Sequence, residues 1–194
     1  MKFAAVAVLL ALAACSGQDS ASWRSSDPYE RYLGALELSE RRDPVDVNRT
    51  VRQLRDLDPL ARDGAIVALG EIGDPAHVAA VAATLVPSPV NTEILRADAV
   101  VALCRMKGEE ARAAVLKALA EDASMHVRRT AAHAVAAFGG ERPVLEALVA
   151  AMSDARVPVS YAAHQSLVVV TQDPTLPRDA ARCKAWLAAK EKKE

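Results

Sequence analysis

The sequence predicts an all-α protein built as an α-solenoid, an α/α superhelix of stacked helix pairs, and three observations lead to this class. Alanine supplies much of the 52% hydrophobic content while aromatic residues make up only 4%, a composition that favours helices over strands. Segments that start at Arg62, Arg96, Arg128 and Ser160 align with one another at spacings of 34, 32 and 32 residues. Apolar residues recur in each segment at offsets 3, 7 and 10, which lie on one helical face.

These aligned positions predict the core of the solenoid. Alanine at offset 3 permits close approach of neighbouring helices, and larger residues at offsets 7 and 10 fill the layer between them. The three sets are Ala65, Ala99, Ala131, Ala163; Leu69, Leu103, Val135, Leu167; and Ile72, Met106, Phe138, Val170. Each aligned helix is followed by a second apolar-periodic run, such as "EEARAAVLKALAED" or "ERPVLEALVAAMSD". Each repeat is therefore expected to be a helix pair.

The first fifteen residues, "MKFAAVAVLLALAAC", have the pattern of a secretory signal. The apolar run from Phe3 to Ala14 is too short for a bilayer span of about 20 residues. Its end, "LAAC", resembles the bacterial lipobox, and the resemblance implies that residues 1–14 are removed and that Cys15 is acylated. An uncleaved signal and a soluble export signal are the alternatives. Acylation by two or three chains would anchor the protein stably in a membrane.

This resemblance also gives an expected location in the bacterial cell envelope. Ser16 follows the cysteine, and no aspartate stands in the place that resembles an inner-membrane retention signal. We therefore expect the outer membrane, with the protein facing the periplasm. Residues 15–28 are rich in Ser, Gly and Asp and are expected to be a flexible tether, within which Trp23 either docks on the first helices or binds a partner.

The rest of the chain, residues 29–194, is expected to be one repeat domain. A divergent pair at 29–56 precedes repeats at about 57–88, 89–122, 123–154 and 155–190. The segment "LRDLDPLARDGAIVALGEIGDP" resembles HEAT repeats, in particular the short bacterial type of phycobilisome lyases. "AEDASMHVRRTAAHAVAAFGG" resembles them as well. The last repeat departs from the pattern at Ser160 and has Trp186 in its second helix, which suits a terminal cap.

Two glycines in "GEIG" raise the question of a phosphate-binding loop. Gly70 aligns with Cys104, Ala136 and Val168, so we expect no requirement for glycine there and no phosphate site. Gly73 falls just past a first helix, where a left-handed residue ends the helix at low cost. Asp74 and Pro75 are then expected to cap and begin the next helix.

Aspartates recur in the turns between repeats, six residues before the aligned arginines. An aspartate in such a turn can accept backbone N–H groups at a helix start and pair with a nearby arginine. We interpret this set as a structural ladder, the alternative being an arginine row for anionic ligands. Its members are Asp56, Arg62, Arg96, Asp122, Arg128 and Asp154.

The sequence contains no pattern of an active site, a metal site or a cofactor. The histidines 77, 126, 133 and 164 form no HExxH motif, and no GxSxG nucleophile elbow is present. Cys104 and Cys183 are expected to lie two repeats apart, too far for a disulfide. A formal net charge of −1 provides no basic field for nucleic acid.

The resemblance implies a non-catalytic scaffold that binds another protein on the surface of the second helices. The first contacts expected there are Glu110, Arg112, Lys117, Arg142 and Glu146. Three alternatives stay open. They are an assembly or pilotin-like factor for an envelope or secretion component, a lyase-like pigment handler, and a binder of a small molecule between repeats.

Overall fold

The structure, a computed structural model, describes residues 21–191. The predicted signal peptide (1–14), the predicted lipidation site Cys15 and the first part of the tether lie outside the described residues. Within residues 21–191, no helix combines the length and the apolar character that a membrane span requires.

The described chain consists of five successive helix pairs. The pairs are α1 (Pro28–Arg41) with α2 (Pro44–Gln53), α3 (Pro59–Ile72) with α4 (Val78–Ala82), α5 (Glu93–Met106) with α6 (Glu109–Glu121), α7 (Met125–Ala134) with α8 (Arg142–Ala151), and α9 (Val157–Thr171) with α10 (Ala180–Glu191). Short 3-10 helices lie at Ala21–Arg24, Pro75–His77, Ala83–Leu85 and Val135–Phe138. No strand occurs in residues 21–191, and the predicted all-α solenoid is confirmed.

Local sequence sets the starts and ends of these helices. Asp27, Asp43 and Asp58 each precede a proline, and each carboxylate accepts the N–H of the residue two positions later. Such a cap satisfies a backbone donor that the first turn leaves free, and proline has no N–H to lose there. Helix α3 ends at Gly73, whose φ of 69° is left-handed. The predicted turn at "GEIG" is therefore a helix end.

The helices form two layers with the core between them. The first helices α1, α3, α5, α7 and α9 pack side by side in chain order, and each of them from α3 onward contacts the second helix of the preceding pair. The predicted core residues at offsets 3 and 7 are completely buried in all four repeats. At offset 10 only Met106 is buried, whereas Ile72, Phe138 and Val170 are half-buried. The core thus thins toward the ends of the first helices.

Helices α3 and α5 approach each other closely at Gly70, which corrects the expectation that glycine is not required there. A Cβ atom at Gly70 would lie 2.9 Å from both Cα and Cβ of Ala102. Ordinary carbon contacts are about 3.5–4.0 Å, so a side chain at this position would push the helices apart. The alignment with Cys104, Ala136 and Val168 does not show this, because spacing along the chain carries no information on how closely two helices approach.

Different elements cover the two ends of the stack. At the N-terminal end, the 3-10 helix Ala21–Arg24 packs on α1 at Gly34. The guanidinium carbons of Arg24 and Arg49 lie 4.4 and 5.1 Å from the centroid of the Trp23 ring. At the C-terminal end, α10 packs on α8 and buries Cys183. Cys104 is also buried, and neither of the two forms a disulfide.

Candidate functional site

Arginines near the start of three first helices form ion pairs with aspartates in the turns that lead to the next first helix. The pairs are Arg31–Asp56, Arg96–Asp122 and Arg128–Asp154. In each pair Nε and Nη2 of the guanidinium donate to the two carboxylate oxygens at 2.7–3.2 Å. This bidentate geometry fixes the position of one repeat against the next.

Each of these aspartates also organises the turn in which it lies. Oδ1 of Asp122 accepts the N–H of Ser124 at 2.8 Å, and Ser124 in turn caps α7. Burial by itself would raise the pKa of Asp122. The hydrogen bonds from Arg96 and from the Ser124 N–H outweigh burial and hold that pKa below its ordinary value. The carboxylate is therefore charged at neutral pH and serves two repeats at once.

The arginine that each aspartate pairs with comes from the preceding repeat, 25 or 26 residues earlier, and not from the position six residues later. The later arginine donates instead to the backbone carbonyl of the aspartate, as Arg62 does to Asp56 and Arg128 does to Asp122. Arg62 also donates to Oδ1 of Asn91 at 2.6 Å, in the turn that leads to α5. The guanidinium groups of this set are thus engaged inside the fold.

The second helices leave a groove between each neighbouring pair, and the four grooves follow one another along the stack. Their volumes are about 410 Å³ between α2 and α4, 440 Å³ between α4 and α6, 270 Å³ between α6 and α8, and 620 Å³ between α8 and α10. Alanines line all four, for example Ala114 and Ala118 on α6 and Ala147 and Ala150 on α8. Small side chains at these positions leave space that larger residues would fill.

Apolar and charged side chains line these grooves together. Leu85 and Val86 line the groove between α4 and α6, and Val149 and Leu187 line the one between α8 and α10. The charged lining residues are Lys117 and Glu121 in the former and Arg142, Glu146 and Lys184 in the latter. We name these four grooves together the second-helix surface.

Three of the five predicted contact residues line these grooves, and the other two lie apart from them. Lys117 lines the groove between α4 and α6, while Arg142 and Glu146 line the largest groove and form an i,i+4 ion pair at 2.7 Å. Glu110 is exposed in the first turn of α6. Arg112 is paired with Glu141 at the start of α8 and with Glu109.

Sequence reasoning missed the alanines and Lys184 of the second-helix surface. The signal was present, since alanine recurs on the second helices at positions that face the neighbouring repeat. Recognising it requires knowing which side of each second helix faces its neighbour. That side depends on the three-dimensional stacking.

Ionisable groups elsewhere do not gather into a metal site. Among residues 21–191, no group of three or more His, Cys, Asp or Glu is arranged to hold a metal ion. Burial raises the pKa of the Cys104 thiol to about 12, which keeps it protonated at neutral pH. Asp63 on α3 lies beside Asp98 on α5. Burial and this second carboxylate raise the pKa of Asp63 to about 6.

Comparison with known proteins identifies the repeat type. Residues 90–168, from just before α5 into α9, match the family model for HEAT repeats. This part of the chain is of the HEAT type. No curated protein matches the sequence.

A solved structure supports the same architecture over more of the chain. The complex of CpcE and CpcF of phycocyanin lyase from Nostoc sp. PCC7120 contains a chain that matches with a TM-score of 0.60 and 22% sequence identity. The match covers 79% of this chain and 64% of that chain, so this protein spans less than two thirds of its neighbour's length. At this identity the similarity shows the fold alone, an all-α solenoid.

Proposed function

We propose that this protein is a lipid-anchored scaffold of the bacterial cell envelope that binds a protein partner on its second-helix surface. The observation that carries the proposal is the series of four grooves between successive second helices. Stacked repeats commonly use such extended surfaces to hold other proteins.

The chemistry of the grooves favours a polypeptide over a compact small molecule. Alanines line each groove, and neighbouring helices in such a stack are about 8–10 Å apart. Apolar side chains at helical or extended spacing can enter successive grooves, while Lys117, Glu146 and Lys184 in the linings can pair with charges of either sign. We therefore expect a partner segment with regularly spaced apolar residues and flanking charges.

The anchor in this proposal rests on the sequence. The short apolar run and "LAAC" support acylation at Cys15 and a place at the outer membrane facing the periplasm. Intact mass after globomycin treatment tests this part, since a lipobox cysteine should then retain residues 1–14. An unchanged mass with and without the drug would contradict the anchor while leaving the binding surface open.

Crosslinking in intact cells tests the binding surface. A photoreactive phenylalanine analogue at Lys117 or at Lys184 should capture a protein, because both side chains line grooves. The matched control is the same analogue at His133, an exposed residue of α7 in the first-helix layer, which should capture none. Equal capture from all three positions, or none from the first two in folded protein, would refute the proposed surface.

The same experiment separates a static scaffold from a pilotin-like assembly factor. Once the captured protein is identified, its location is compared in cells with and without the gene for this chain. A scaffold leaves its partner in the same membrane, whereas an assembly factor is required to bring the partner there. The pigment-handling alternative is tested by adding a bilin to the purified protein, and we expect its absorbance spectrum to stay that of the free pigment.

A further inference from the structure

One edge of the solenoid has a row of exposed apolar side chains. Of the ten large apolar residues that are exposed among residues 21–191, six lie in the first turn of a first helix or just before it, with exposed fractions from 41% to 88%. They are Tyr29, Leu57, Leu60, Ile94, Met125 and Val157. Every repeat contributes at least one of them, and we name this set the apolar row.

The contacts between repeats bring these side chains onto the same edge. Arg31 at the start of α1 binds Asp56, which directly precedes Leu57. Ser124, the cap of α7, donates to Glu93 in the first turn of α5. Arg128 at the start of α7 binds Asp154, just before α9. The starts of all first helices are therefore neighbours along one side.

The opposite edge has a different chemistry. There Glu71 at the end of α3 pairs with Arg105 at the end of α5. Arg112 at the start of α6 pairs with Glu141, which directly precedes α8. Val45 and Val169 are the exposed large apolar residues near that edge among the described residues. The two edges thus differ in their exposed large apolar side chains, of which one edge has six and the other two.

The form of the apolar row fits a lipid surface better than a protein groove. Its side chains project singly from successive helix starts, at the spacing of the repeats, about 8–10 Å. A bilayer interface accepts such projections without needing a complementary shape. Exposed charges beside the row have both signs: Glu30, Glu93, Arg55 and Arg156. Binding would therefore depend on apolar insertion and not on anionic lipids.

The start of the described chain lies close to this edge. Ser25 and Ser26 accept hydrogen bonds from Arg31 at the start of α1. Six residue steps separate Cys15 from Ala21, so a fully extended tether would span about 20 Å. An acyl anchor at Cys15 would keep the first repeat within that distance of the membrane.

We propose that the apolar row rests on the bilayer surface and orients the solenoid edge-on, with the opposite edge turned away from the lipid. This inference rests on the lipid anchor of the proposed function. In this orientation the second-helix surface stands upright from the membrane and stays open to a partner. The anchor supplies attachment and the row supplies orientation.

Depth-dependent quenching on the acylated full-length protein tests the orientation. Met125→Cys is labelled with an environment-sensitive fluorophore and reconstituted in phosphatidylcholine vesicles whose acyl chains are brominated. Native Cys104 and Cys183 are buried and should not take the label. We expect about twofold quenching, because interfacial side chains lie about 5–10 Å into the boundary region. Quenching should persist at about 1 M salt, where the Debye length is about 3 Å.

A label at Val169→Cys on the opposite edge is the matched control and should remain unquenched. In the Met125→Cys background, Ile94→Glu with Val157→Glu should abolish quenching, whereas Val169→Glu should leave it unchanged. Circular dichroism checks that each variant folds.

Two failures can be told apart. Protein that carries no acyl group by mass refutes the anchor and, with it, this arrangement. Acylated, vesicle-bound protein whose label at 125 stays unquenched refutes the edge orientation alone and leaves the apolar row as a surface for protein. Equal quenching at 125 and 169 would also overturn the proposal.

Discussion

The first-helix layer and the second-helix layer each contribute five helices to the described chain, yet they are packed in different ways. First helices contact their neighbours so closely that Gly70 has no room for a Cβ beside Ala102. They are also joined by bidentate Arg–Asp pairs at the turns. Second helices are separated by grooves of 270–620 Å³. Helix α4 has five residues of α-helix between two 3-10 turns.

This difference indicates a division of labour between the layers. The first layer holds most of the close contacts and the buried ion pairs, so it should dominate stability. The second layer has alanine-lined space at its surface, so it should tolerate substitution without unfolding and remain available for binding. If equivalent substitutions in the two layers lower the free energy of unfolding equally, this division of labour is wrong.

The largest effect is expected from breaking a buried pair in the first layer. In Arg96→Met the carboxylate of Asp122 stays buried without its partner, and we expect the free energy of unfolding to fall by about 3–5 kcal/mol. Urea denaturation measures the loss. The control is Arg142→Met, which breaks the exposed Arg142–Glu146 pair of the second layer and should cost at most about 0.5 kcal/mol. Similar losses in the two variants would remove the distinction between the layers.

A single added carbon should have the next largest effect. Gly70→Ala places a Cβ 2.9 Å from Ala102 and should cost about 1–3 kcal/mol through overpacking, reduced by the roughly 1 kcal/mol that alanine gains in a helix. Ala150→Leu adds more atoms at an exposed groove position of the second layer and should change stability by less than about 0.5 kcal/mol. Thermal denaturation of the two variants compares them directly. A neutral Gly70→Ala would show that α3 and α5 can separate freely.

The sequence predicts the class and the repeat period because both depend on spacing along the chain. Offsets 3 and 7 are buried in every repeat since they face the neighbouring layer in the middle of each first helix. Offset 10 is less reliable because it falls near the helix end, where the chain turns away. Gly70 shows the limit of the alignment, since the space at one slot depends on the distance to the next helix.

The candidate site was less predictable because it depends on how the repeats stack, which spacing along the chain does not determine. Whether Asp122 pairs with Arg96 or with Arg128 depends on how repeats stack, and both arginines are compatible with the spacing. The grooves depend on which alanines face each other across repeats. The apolar row, in contrast, could have been found from the alignment, because an apolar residue precedes each aligned arginine or serine by two or three positions.

The smallest effect concerns the carboxylate pair in the first layer, and its size depends on pH. Burial, the charge of Asp98 and a hydrogen bond to it raise the pKa of Asp63 to about 6, against about 3.9 in the unfolded chain. The folded state therefore holds a proton that the unfolded state has released between these values. The contribution of Asp63 to stability is complete below about pH 4 and is lost as the pH rises to about 6.

At pH 7 the charged Asp63 carboxylate destabilises the folded state, and Asp63→Asn removes this cost. The variant should therefore be more stable at pH 7 by about 1 kcal/mol, a value reduced for the partial exposure of the group. At pH 4 the variant and the parent should have similar stability, because Asp63 is then protonated in the folded state. Urea denaturation at both values measures the difference, and Glu37→Gln in the middle of α1 is the exposed control that should change neither. A variant equally stabilised at pH 4 and pH 7 would point to packing as the cause. In that case the close approach of the first helices, and not the repulsion between Asp63 and Asp98, would set the local stability.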